Sequence, residues 1–269
     1  MALSLYYDTF PANHNPESAV DLVLLHGWGM SSLVWDEIMP ELLEHFRVTV
    51  IDLPGFGRSP IPGGDYDLDY LSKHVLNVAP KQAVWMGWSL GGMVAMSIAG
   101  SHPERVKGLI SVTGTPSFIT RDGWPYGMPA EEMEGFSTLV KEDSDGSLIR
   151  FLALQAKGSE KQREDIRKLK EMVYFHGIPA PQALRGGMDI LCTADIRAML
   201  PDIRCSCLFI YGENDQIVAA NTAEGVRALM PGATISTMKG LSHIPFITDP
   251  DAFLKEIQEF LCEYRPRSE

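Results

Sequence analysis

No apolar run in this sequence approaches the ~18 residues that a helix needs to cross a bilayer, so no membrane span is expected. The opening stretch, MALSLYYDTF, lacks a basic start and a long apolar segment, and no secretory signal is expected from it. Cysteine is scarce: Cys192, Cys205, Cys207 and Cys262 are the four in 269 residues. None form a C-x-x-C pair, and no histidine cluster stands beside them at ligand spacing, which argues against a metal centre. They read as reduced thiols of a cytoplasmic protein, with Cys205 and Cys207 alternating along a buried strand. Cations are in deficit, 23 Lys and Arg against 35 Asp and Glu, for a formal net charge of −12. That balance disfavours bulk nucleic-acid binding. Internal repeats and low-complexity segments are also missing, which excludes a repeat architecture.

What is present is ample material for a core. Hydrophobic residues make up 45% and charged residues 22%, which fits one large α/β domain with an insertion, or two small domains. VDLVLLHG (20–27), RVTVIDLPG (47–55), AVWMGW (83–88), VKGLISVTG (106–114), CLFIYG (207–212) and ATISTM (233–238) read as strands. SSLVWDEIMPELLEHF (31–46), MVAMSIAG (93–100) and DAFLKEIQEFLCEY (251–264) read as helices. Strands alternating with helices predict a mostly parallel sheet covered on both faces. Between about 117 and 200 the strand signal vanishes, and GFSTLV, LIRFLALQAKG and REDIRKLKEMVYF follow a helical pattern. Such a length is too great for a loop. The expected division is a core of residues 1–116 and 201–269 with a helical lid, 117–200, over the carboxyl ends of the strands, where such sheets bind ligands.

At the end of the third strand stands WMGWSLGGMVA (85–95). Its G-x-S-x-G pattern, strand before and helix after, is that of a nucleophile elbow centred on Ser89. A serine hydroxyl needs a base to take its proton, and the base needs an acid to orient it. YGENDQIV puts Asp215 just past a buried strand, and GLSHIPFITDP puts His243 in the loop after the last strand. All three would meet at one edge of the sheet. An oxyanion hole needs two backbone donors. The N–H of Leu90, which follows the serine, and that of Trp28, in LLHGWG after the first long strand, are the candidates. His26 reads instead as a buried hydrogen-bonding residue, His102 as a helix-end residue, Asp52 as a loop-fixing carboxylate and Trp88 as packing.

LVLLHGWGM, DLPGFGRS, WMGWSLGG, SHPERV, RFLALQ, YGENDQIV and SHIPF occur in this order over nearly the whole chain. In this combination the sequence resembles the pimeloyl-[acyl-carrier protein] methyl ester esterases of biotin synthesis, within the α/β-hydrolase superfamily. The resemblance implies an α/β-hydrolase fold, release of methanol from a carrier-bound pimeloyl methyl ester, and the triad Ser89, Asp215 and His243. It implies acyl-binding positions at Trp28, Ser89, Leu90, Phe151, Leu152, Ala153, Leu154, Gln155 and His243. It implies acyl-carrier protein as partner, and lid arginines Arg150, Arg163 and Arg167 as its dock. No metal or redox cofactor is called for, and a monomer is expected.

The charge pattern bears on that partner. Residues 150–170 hold seven basic and three acidic side chains in a chain of net charge −12. Arg163, Arg167 and Lys170 follow i, i+4, i+7 spacing beside Ile166, Leu169 and Val173. Such a stripe is either a solvated charged face or a dock for an anionic partner. Three other functions stay open on the same residues: a broad short-chain carboxylesterase, a carbon–carbon bond hydrolase, and a ligand receptor that keeps a hydrolase pocket.

Overall fold

The apolar runs become strands because a sheet covered by helices on both faces has no solvent side. The computed structural model describes residues 4–265. Its strands are β1 (Tyr7–Phe10), β2 (Val20–Leu25), β3 (Phe46–Ile51), β4 (Ala83–Trp88), β5 (Val106–Val112), β6 (Ser206–Gly212) and β7 (Thr234–Met238). They form one sheet in the order β1-β3-β2-β4-β5-β6-β7. Pairing is parallel throughout except for β1, which runs antiparallel to β3. Every residue of β4, at the centre, is buried, whereas β7, at the edge, is largely not.

Leu22 of β2 pairs with Val48 of β3 on one side and Val84 of β4 on the other. The chain leaves β2 toward β3 on one side, and leaves the neighbouring β4 toward β5 on the other. At such a switch point the loops at the carboxyl ends diverge and leave a crevice. The loop after β2 and the turn after β4 meet there.

The helices are α1 (Met39–Leu43), α2 (Leu68–Val78), α3 (Leu90–Ser101), α4 (Ala130–Glu142), α5 (Ser144–Gln155), α6 (Gln162–Phe175), α7 (Pro181–Thr193), α8 (Thr222–Leu229), α9 (Pro245–Thr248) and α10 (Pro250–Cys262). Four of them, α4 to α7, occupy the connection between β5 and β6. Helix α3 packs on β4 and β5 and is buried from Leu90 to Ala99, so its small and apolar residues surround it rather than marking one face. Asp143 caps α5, accepting the Gly146 N–H at 2.9 Å. Among the described residues, no helix is long and apolar enough to cross a membrane.

Some local expectations differ from the structure. The helix expected over 31–46 is a 3-10 turn, Ser32–Trp35, followed by the short α1. Pro40 has no N–H to bond back to Asp36, so a ladder cannot run through it, and it sits instead in the first turn of α1. Cys205 lies just outside β6 and is half-buried, so only Cys207 of that pair is on the strand and buried. Strand β1 and helices α2, α7, α8 and α9 are additional to the elements expected from the sequence.

Asp52, fully buried at the end of β3, fastens two loops at the carboxyl edge. One oxygen accepts the Ser32 N–H at 2.7 Å, and the other accepts the Arg58 N–H at 2.9 Å. The Arg58 guanidinium stands 3.6 Å from the carboxylate and stacks on the Tyr6 ring. Asp52→Ala leaves both N–H groups without their acceptor, at an expected cost of about 3 kcal/mol. Urea unfolding checks this as a lowered midpoint.

Candidate active site

At Ser89 the chain turns from β4 into α3 with φ 55° and ψ −117°, a left-handed backbone that a serine adopts only under constraint. The flanking glycines are the means. A methyl group at Gly87 would run into the backbone of Gly91 and Gly92, and one at Gly91 into the backbone of Leu25 and His26. The Ser89 N–H is tied to the Val112 carbonyl at 2.9 Å. Its hydroxyl is thereby held at the start of α3, above the switch point.

His243 Nε2 stands 2.9 Å from Ser89 Oγ, and its Nδ1 stands 2.7 Å from Asp215 Oδ2. The other carboxylate oxygen of Asp215 accepts the N–H groups of Ile217 and Val218 at 2.8 and 3.0 Å. The carboxylate is thus oriented by its own turn, and a neutral His243 with a proton on Nδ1 presents Nε2 as an acceptor to the serine. Tyr211, on the strand leading to Asp215, is held protonated, first by burial and then by the Asp215 charge.

The backbone of His243 is gripped from the sheet. Its carbonyl accepts the Trp88 indole N–H and the Thr113 hydroxyl, each at 2.9 Å. Thr113 itself has φ 44° and donates its N–H to the Ile210 carbonyl at 2.7 Å. Neither contact was read from the sequence, where Trp88 looked like packing and Thr113 carried no signal. The Trp88 ring also lies so close to Gly27 that a Cβ there would come within 2.8 Å of it.

Trp28 and Leu90 are fully buried at the mouths of β2 and β4. Among the described residues, neither of their backbone N–H groups has an acceptor. The Trp28 indole donates to the Leu184 carbonyl of α7 at 2.9 Å and meets the Phe151 ring edge to face, with centroids 4.8 Å apart. Gly187 of α7 leaves space for that indole. His26 next to it is structural: Nε2 accepts the Leu53 N–H at 2.9 Å, and Nδ1–H donates to the Gly27 carbonyl at 2.8 Å. Burial lowers its pKa, which keeps it neutral.

The RFLALQ stretch falls on α5. Phe151, Leu152 and Gln155 are buried, while Ala153 and Leu154 are half-buried, so the five do not share one environment. The Gln155 carbonyl accepts the His243 N–H at 3.3 Å, which brings the insertion directly onto the site. Both polar atoms of its side-chain amide lack a partner among the described residues. Arg150, Arg163 and Arg167 are all exposed, the first on α5 and the others one turn apart on α6. They lie outside the enclosed site. Ser89 is 1% exposed and His243 0%, so both lie beneath the surface, with α5 packed against the histidine.

The arrangement suits nucleophilic attack by a serine, with a neutral imidazole as base. Comparison with known proteins agrees with that chemistry. The alpha/beta hydrolase fold family model matches residues 22–250. The pimeloyl-[acyl-carrier protein] methyl ester esterase of Yersinia enterocolitica is 44% identical over 91% of this chain and 94% of its own. The enzyme of the same name from Pectobacterium carotovorum is 42% identical over 96% of this chain and 98% of its own. Among solved structures, an esterase from Exiguobacterium antarcticum superposes with a TM-score of 0.84 at 22% identity, covering 96% of this chain and 95% of that one, a likeness of fold. With the sheet, the serine turn and this identity over nearly its whole length, the chain belongs to the α/β hydrolases and, among them, to the pimeloyl-[acyl-carrier protein] methyl ester esterase family.

Proposed function

We propose that this protein is a serine esterase that hydrolyses the methyl ester of pimeloyl-[acyl-carrier protein], a step of biotin synthesis. The observation that carries this reading is the unbroken hydrogen-bonded line from Asp215 through His243 to Ser89, with the serine on a strained turn. The family membership supports the substrate.

His243 takes the proton of Ser89 as the hydroxyl attacks the ester carbonyl. Asp215 holds the imidazole tautomer and stabilises the imidazolium. The N–H groups of Trp28 and Leu90 donate hydrogen bonds to the carbonyl oxygen as negative charge develops on it, where preorganised donors act most strongly. His243 returns its proton to the methoxide, methanol leaves, and water activated by the same imidazole cleaves the acyl-enzyme. The pimeloyl carboxylate and the free serine result. The buried Gln155, whose carbonyl accepts the His243 N–H, supports an acyl-binding role by its place beside the triad.

The substrate carries a second cleavable group, the thioester to the carrier. Intrinsic reactivity does not spare it, so geometry must, by presenting only the distal ester to Ser89. Carrier docking on Arg150, Arg163 and Arg167 would set that depth. The exposed Arg167–Glu171 pair, at 3.0 Å, contributes little to the fold itself and leaves the arginine free to exchange partners.

Ser89→Ala lowers turnover of the carrier-bound methyl ester by about 10⁴- to 10⁶-fold with the fold intact, and methanol release checks this. A variant with most of its activity left would overturn the serine mechanism. Asp215→Asn lowers kcat by about 10⁴-fold, because the amide selects the wrong imidazole tautomer. The double charge reversal Arg163→Glu/Arg167→Glu lowers kcat/KM for the carrier-bound ester by about 10- to 100-fold and leaves p-nitrophenyl butyrate within about twofold. Equal loss on both substrates would count against the dock.

A further inference from the structure

Helix α6 ends in solvent-facing apolar side chains. Phe175 is 74% exposed, Tyr174 55% and Ile178 43%. The other strongly exposed large apolar residues, Tyr7 and Leu139, lie on β1 and α4, so the exposure concentrates at one helix end. Large apolar side chains left exposed within five residues of one another mark an interaction site.

The patch continues the cationic stripe. Arg163, Ile166, Arg167, Lys170, Glu171, Tyr174 and Phe175 line one open groove, in which Glu171 pairs with Arg167. Positions 163, 167, 170 and 174 follow i, i+4, i+7, i+11 spacing, so cations and aromatic share a helix face about 16 Å long. Among the described residues, no carboxylate lies within ion-pair distance of Arg163 or Lys170. The residues interleaved with the patch, Val173, His176 and Pro179, share a narrow crevice with Gly29, Met30 and Ser31. A partner seated on the patch therefore stands beside the loop that carries Trp28.

We infer that Tyr174, Phe175 and Ile178 are the apolar anchor of the carrier-protein dock, with Arg163, Arg167 and Lys170 as its cationic rim. The inference rests on the proposed esterase reading. Charge complementarity selects the occupant: a cationic stripe in a chain of net charge −12 fits an acidic partner. A two-fold dimer through the same face would set the cations against their own copies. The aromatic residues supply what the arginines do not, desolvated contact area that survives salt and fixes position.

The test is the double variant Tyr174→Ser/Phe175→Ser, assayed with methyl-pimeloyl-carrier protein and with p-nitrophenyl butyrate, at low and raised salt. The expected result is a KM for the carrier substrate raised about tenfold at both salt levels. Both kcat and p-nitrophenyl butyrate hydrolysis stay within about twofold, and circular dichroism is unchanged. An unchanged KM, with wild-type protein cleaving the carrier-bound ester, overturns the anchor alone. Failure of the wild type on that ester overturns the anchor and the esterase reading together. Sedimentation velocity separates the remaining occupant: a wild-type dimer dissolved by the variant, with KM unchanged, assigns the patch to a second copy and overturns the inference.

Discussion

Where β4 turns into α3, backbone lies against backbone so closely that no side chain fits at Gly87 or Gly91. Everything at the site hangs on that approach. It brings the first turn of α3 onto the ends of β2 and β4, forces Ser89 into a left-handed conformation and leaves the Leu90 N–H without an acceptor among the described residues. The strain at Ser89 persists because its surroundings over-determine it: a bond to Val112 behind, the buried α3 ahead and His243 at its hydroxyl. Gly27 extends the same logic, since it allows the Trp88 ring to lie flat enough to reach the His243 carbonyl.

Charge is distributed by the same separation of parts. The ionisable groups of the site are buried, and each is answered locally, Asp215 by two backbone N–H groups and an imidazole. Those bonds compensate a carboxylate that burial would otherwise disfavour. The cations that would meet a partner stand outside, on α5 and α6, where water screens them. An acidic molecule with a local basic helix keeps its general repulsion toward anions and lifts it at one place.

The sheet was legible in the sequence because buried strands are continuous apolar runs, and β2 to β6 are of that kind. Strand β1 was not, because YDTF is short and mostly exposed and takes its conformation from β3. The helix at 31–46 is broken at Pro40, whose missing N–H an apolar spacing alone does not register. At the site, Ser89, Asp215 and His243 could be picked out because each follows a strand and carries a reactive group. Trp88 and Thr113 could not, since an indole and a hydroxyl reaching one carbonyl depend on how strand ends meet in space. Nor does any periodicity reveal exposure: Tyr174 and Phe175 read as a continuation of a lid helix, and only the packed insertion leaves them bare.

The grip on His243 comes from β4 and β5, while the insertion touches it through one long bond from the Gln155 carbonyl. The groups that would serve as acid, base and nucleophile are therefore held mainly from the strand ends, and α4 to α7 are an attachment packed over them. Over evolutionary time such a partition lets the attachment drift, lengthen or be exchanged without retuning the proton relay beneath. New substrates would then be reached by rewriting four helices, with the chemistry inherited unchanged.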